Sequence, residues 1–166
     1  AKISLQLKRG YYLTQEEAMN HVDFTPMKCL DYKDQAKKVK YPCYISAKID
    51  GFRMMVDSNG QAWSKQGEPL DFPAHWDGLK EALAEVGGGD GEVFCKDMSL
   101  QSIRSAYLTP KEDTLNLEYW VYDVPVDGVP FEERRKLLDK LNTIVFEKGL
   151  NFVKVVPGAL VESEEW

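Results

Sequence analysis

Ala47-Lys48-Ile49-Asp50-Gly51-Phe52-Arg53 lies between two stretches built to be strands, and its reading decides the rest of the chain. Upstream, Cys43-Tyr44-Ile45-Ser46-Ala47-Lys48 sets β-forming residues at alternate positions, just after Tyr41-Pro42 has closed off helical backbone. Gly51 interrupts the run and Arg53 to Val56 resumes it. Ser58-Asn59-Gly60 is a strong hairpin signal, and Gln61 to Ser64 is the expected returning strand. The plain structural reading is that Lys48 ends a strand and pairs with Asp50 at a hairpin. The chemical reading is that Lys48 is a nucleophile. A lysine amine attacks only when neutral, and an ordinary one titrates at about 10.4. A nearby cation such as Arg53, or a metal-bound nucleotide, would lower that value.

Working outward, Asp31 to Lys40 is helical in composition, and Thr14-Gln15-Glu16-Glu17 has the spacing of a capping box for a short helix through Asn20. Residues 1–23 read as an extension or the tail of an upstream element. Toward the C-terminus, Pro73 to Val86 spaces Trp76, Leu79, Leu83 and Val86 by threes and fours, which predicts an amphipathic helix. Gly87-Gly88-Gly89 follows that helix and lacks the lysine-hydroxyl ending of a phosphate loop, so it reads as a plain loop. Strands are predicted at Glu92 to Cys95, Leu117 to Val124 and Phe152 to Val156, with helices at Ser99 to Tyr107 and Phe131 to Lys148. Ser163 to Trp166 resembles the start of another helix. Hairpins and isolated helices without regular strand-helix alternation predict an α+β domain, its largely antiparallel sheets flanked by helices.

Composition narrows the chemistry. With 166 residues, 43% of them hydrophobic, the chain can bury a real core. No apolar run approaches membrane-spanning length, so a soluble intracellular setting without membrane contact is expected, cytoplasmic or in a host cell's cytoplasm for a viral protein. Cys29, Cys43 and Cys95 are too few and too scattered for a disulfide framework or a zinc site, and His21 and His75 stand in no ligand-like spacing. The net charge of -6 is unevenly spread: residues 1–65 carry 11 Lys and Arg against 7 Asp and Glu, and residues 66–166 carry 10 against 20. A basic face in the first part could follow a phosphate backbone, but tight DNA binding by these residues alone is not expected.

Further signals follow the lysine in order: Ser64-Lys65-Gln66-Gly67, Asp90-Gly91-Glu92 and Tyr119-Trp120-Val121-Tyr122-Asp123. Read singly, Arg53 is a surface partner for Asp50 or Asp57, Glu92 a strand-edge carboxylate and Tyr122 a core aromatic. Read together with Lys48-x-Asp50-Gly51-x-Arg53, they resemble the covalent nucleotidyltransferases, specifically the adenylation domain of ATP-dependent DNA ligases of phage and virus type, over residues 24–166.

That resemblance implies a set of roles. Lys48 takes up AMP from ATP as a lysyl-AMP phosphoramidate and passes it to a nick in double-stranded DNA. Ser46 and Ile49 lie beside the nucleotide, and Arg53 holds its ribose or phosphate with a planar fork of donors. Glu92 accepts from the ribose hydroxyls or helps to hold Mg²⁺. Tyr122 stacks on adenine. Asp50 supports the later joining step, and Lys65 faces the nick phosphate, though lysine lacks the fork of the arginine usual there. Arg53, where NAD-dependent relatives carry a small residue, favours ATP as donor. The family's Glu-Gly and Lys-x-Lys motifs and its oligonucleotide-binding domain are not among these residues, so little or no ligation by these 166 residues alone is expected. An RNA ligase, a capping guanylyltransferase or a non-catalytic binding remnant would share the same signals.

Overall fold

The structure is a computed structural model describing Pro26, Met27 and residues 30–164. The helix expected from Thr14 to Asn20 lies outside the described residues.

Six strands form the main sheet in the order β4-β3-β2-β5-β6-β7: β2 is Phe52–Val56, β3 Ala62–Ser64, β4 Pro69–Leu70, β5 Gly89–Phe94, β6 Glu118–Asp123 and β7 Val153–Val155. All neighbours are antiparallel except β6 and β7, which are parallel. Helix α4 (Phe131–Glu147) makes that crossover, with Glu132 and Glu133 in its first turn, where carboxylates complement the helix dipole. One sheet face carries Met54, Val93, Tyr119 and Val121 into the core. Against it pack Leu79 and Leu83 of α2 (Leu79–Ala84), Ile103 of α3 (Leu100–Leu108) and Leu138 and Leu141 of α4. Tyr119, fully buried, satisfies its hydroxyl by donating to the Met54 carbonyl at 3.0 Å. The other face sets Arg53, Glu92 and Trp120 side by side across β2, β5 and β6.

The α+β class and the antiparallel majority agree with the sequence, as does the β2–β3 hairpin at Ser58-Asn59-Gly60. The hairpin at Lys48 does not form. Strand β1 is Cys43–Ser46 and pairs antiparallel with β8 (Gly158–Val161) in a separate two-stranded sheet. Residues 47–51 therefore cross from one sheet to the other instead of turning back within one. Gly51 is required by packing: a Cβ there would lie 2.3 Å from the Val93 carbonyl oxygen, so the crossing loop rests directly on β5.

Helical spans also shrank. The region from Asp31 to Lys40 contains one α-turn, α1 (Tyr32–Gln35), capped by the Asp31 carboxylate, followed by a 3-10 turn at Ala36–Lys38. Of Pro73 to Val86 only Leu79–Ala84 is α-helix, because Gly78 takes φ +80°, which no continuing helix tolerates. The apolar spacing still reported burial: Trp76, Leu79, Leu83 and Val86 are all in the core, and Trp76 stacks on Phe152 with ring centroids 5.7 Å apart. Strand β5 begins at Gly89, so the third glycine of the run belongs to the sheet.

Candidate functional site

A cleft of about 960 Å³ opens over the Arg53–Glu92 face of the sheet, where the loop after β1 passes above it. Ser46 ends β1, and Lys48, Ile49 and Asp50 follow in the crossing loop, with Lys48 and Asp50 exposed. Arg53 comes from β2, Glu92 from β5 and Tyr122 from β6. Lys65 stands in the turn after β3, a turn built by Ser64: its hydroxyl accepts from the Gln66 and Glu68 amides at 3.2 and 3.1 Å. These eight residues, which come from separate segments of the sequence, all line this one cleft.

The polar heart of the cleft is an aspartate to which the sequence assigned no role. Asp90 is buried and receives Arg53 through Nε and Nη2 at 2.9 and 2.5 Å, and the Tyr122 hydroxyl at 3.1 Å. Burial pushes its carboxyl upward, and the two bonds from Arg53 pull against that shift. The partner of Arg53 is therefore neither Asp50 nor Asp57. Nη1 of the same side chain donates to the Met27 carbonyl at 2.9 Å. Those three bonds use three of the five guanidinium donors, which leaves two for another oxygen. A hint lay in the sequence, since Asp90 opens the Asp90-Gly91-Glu92 segment; what hid its role was that pairing across β2 and β5 cannot be read from a linear spacing.

Tyr122 is half-buried. The β5–β6 register shifts between Asp90 and Gly91, so Tyr122 stands as an extra residue in β6, and a bulge of this kind re-aims a side chain. Its ring faces the Arg53 guanidinium at 5.8 Å, and its hydroxyl is held protonated by burial and by the Asp90 charge. One step along, buried Asp123 is gripped by Arg134 of α4 at 2.8 and 2.9 Å, an anchor that ties the helix start to the end of β6.

Glu92 differs from both aspartates. Its Oε2 is buried without a hydrogen-bond partner, and burial raises its carboxyl to about 7 against the pull of Arg53. A buried acceptor left unpaired costs stability, so its retention in a cleft suits a ligand that donates to it. Among the described residues, no three metal-ligating side chains gather. Glu92, with its unpaired Oε2, could offer an oxygen to a metal ion, and for Mg²⁺ the remaining positions would fall largely to phosphate oxygens and water, its common arrangement.

No protein-family model and no curated protein matches the sequence. Solved structures do match the fold. A Lig E DNA ligase superposes with TM-score 0.62 at 20% identity, over 77% of this chain and 49% of that one. Chlorella virus DNA ligase-adenylate gives 0.51 at 24%, over 76% and 46%. The ATP-dependent DNA ligase of bacteriophage T7, in complex with ATP, gives 0.50 at 14%, over 73% and 49%. The chain has the nucleotidyltransferase fold of ATP-dependent DNA ligases. It spans about half the length of each of these structures. In this nucleotidyltransferase fold the cleft lies between the main sheet and the β1–Lys48 loop. Among the described residues, no helix is long and apolar enough to cross a membrane.

Proposed function

We propose that this chain is the nucleotide-binding part of an ATP-dependent DNA ligase, with Lys48 as the residue that carries AMP. The observation that supports this best is the convergence of Lys48, Arg53, Glu92 and Tyr122 on one cleft in a DNA ligase fold, although they come from four separate segments.

The neutral Lys48 amine attacks the α-phosphorus of ATP: an N–P bond forms, the bond from that phosphorus to the bridging oxygen breaks, pyrophosphate leaves, and a proton passes from the amine to solvent. A 5′-phosphate oxygen at a DNA nick then displaces the lysine, and the 3′-hydroxyl finally displaces AMP as the phosphodiester closes. The protein's share is positioning. Tyr122 offers the base an aromatic face whose angle is fixed by Asp90. Glu92 Oε2 accepts from the ribose hydroxyls, and the two unused donors of Arg53 reach a ribose or phosphate oxygen. Ser46 and Ile49 border the base, while Asp50 supports the joining step from beside Lys48. Mg²⁺ bound by the phosphates, with Glu92 at its edge, would neutralise charge on the leaving pyrophosphate.

Labelled nucleotide tests the reading. The chain is incubated with Mg²⁺ and either ATP or GTP labelled at the α-phosphate, then denatured and resolved. Label retained from ATP, stable to alkali and labile to acid as a phosphoramidate is, supports adenylation; a GMP adduct alone would refute the choice of donor.

A further inference from the structure

The cleft opposes the charge of its own chain. The protein carries net -6, yet around the cleft Arg53 is paired with Asp90 and Asp123 with Arg134, so those charges cancel locally. What remains is Lys48, Lys65 and Arg104 against Asp50 and Glu92. Among the described residues, none of these three cations has a hydrogen-bond or ion-pair partner, unlike Arg134, Arg135, Lys136 and Lys148 on other surfaces. Arg104 is the unexpected member. It sits one turn beyond Leu100 and Gln101 on α3, and all three residues border the cleft, although the buried side of the same helix holds Ile103, Ala106 and Tyr107 in the core. Tyr107 fixes the helix, donating to the Asp71 carbonyl at 2.7 Å and packing on Phe52 with centroids 5.2 Å apart. Arg104 is thus an exposed guanidinium on a firmly seated helix, directed to a cavity and without a carboxylate.

Position separates it from the proposed nucleotide. Tyr122 is on β6, while Lys65 follows β3, three places along the strand order, about 14 Å at the usual strand spacing. Helix α3 seats Tyr107 on Phe52 of β2, the strand between β3 and β5. Lys65 therefore lies away from the proposed base site, and Arg104 borders the same cleft from a helix seated on β2, two strands from Tyr122. Lys65 supplies a point charge where two-pronged phosphate recognition needs a planar fork, and Arg104 has that fork with every donor unused.

Resting on the ligase reading, we infer that Arg104 is a phosphate-recognising residue for the acceptor strand, gripping the 5′-phosphate of the nick together with Lys65. The test measures binding of nicked duplexes that differ only in carrying a 5′-phosphate or a 5′-hydroxyl at the nick, by fluorescence anisotropy at low salt, for the parent chain, Arg104→Ala and Arg104→Lys. AMP and pyrophosphate affinities are measured by calorimetry on the same proteins. The parent prefers the phosphorylated nick; Arg104→Ala loses roughly ten- to a hundredfold on that duplex, as expected for a charge-assisted pair, and little on the hydroxyl one. Arg104→Lys falls between, keeping charge but not the fork. The inference is overturned if the parent does not distinguish the two nicks, if Arg104→Ala weakens both equally, or if the loss falls on pyrophosphate instead. Failure of the parent to bind AMP would instead strike the ligase reading, so the two failures are distinguishable.

Discussion

Replacing Glu92 by glutamine removes a charge that the folded chain holds at a cost, and the cost can be read as a pH dependence. Glu92 titrates at about 7 in the fold because burial, the largest cause, disfavours its carboxylate. In the unfolded chain it returns to the ordinary glutamate range near 4.5. The folded state therefore binds its proton more tightly. Its contribution to stability is fully present below about pH 4.5 and is lost as pH rises to about 7. The displacement corresponds to roughly 3 kcal/mol; because the cleft is open to water, screening reduces it to about 1.5 kcal/mol. Urea unfolding at pH 4.5 and pH 8, on parent and Glu92→Gln, isolates this group because other titrations are common to both proteins. The variant should gain about 1.5 kcal/mol on the parent between the two pH values. A difference between parent and variant that does not change with pH would refute the assignment of burial as the cause.

Other perturbations probe the same framework. Asp90→Asn leaves the Arg53 guanidinium buried without its counter-charge and should cost about 3 kcal/mol in urea unfolding; a loss below about 1 kcal/mol would mean that the pair does not organise the cleft. Gly51→Ala drives a methyl group into the Val93 carbonyl, so the Lys48 loop must lift from β5. A fall of about 2 kcal/mol is expected, with amide shifts in β5 by NMR, whereas an unperturbed β5 would show that the loop contact is not close. Tyr122→Ala should weaken AMP binding about tenfold, and Tyr122→Phe much less, because the ring is kept and only the Asp90 hydrogen bond is lost. Equal losses in the two variants would argue that the hydroxyl, and not the ring, serves the nucleotide.

The legible parts of this fold were those fixed by local chemistry. The Ser58-Asn59-Gly60 turn, the apolar side of α4 and the aromatic β6 were all visible, because turn preference and period-two or period-3.6 burial act within a few residues. Pairing over long distance was not. Nothing local to Cys43–Ser46 says that it pairs with Gly158–Val161, and so a hairpin at Lys48 stood as the plain structural alternative to the crossing that forms. The short stretch Pro69–Leu70 joined the sheet against its proline because it lies at an edge, where a missing N–H is tolerated. In the cleft, the residues drawn from recognisable motifs share one lining, whereas Asp90 and Arg104, which line it too, carried no role in the sequence reading. A bidentate partner three dozen residues away and an unpaired guanidinium on a helix leave no pattern in the order of residues.

The most direct measurement is intact mass of the parent and of Lys48→Ala after incubation with ATP and Mg²⁺, followed by fragmentation to locate the modified residue. The expected result is a gain of one AMP on the parent, mapped to Lys48, and none on Lys48→Ala. An AMP adduct that persists in Lys48→Ala, or that maps to another side chain of the parent, would contradict it.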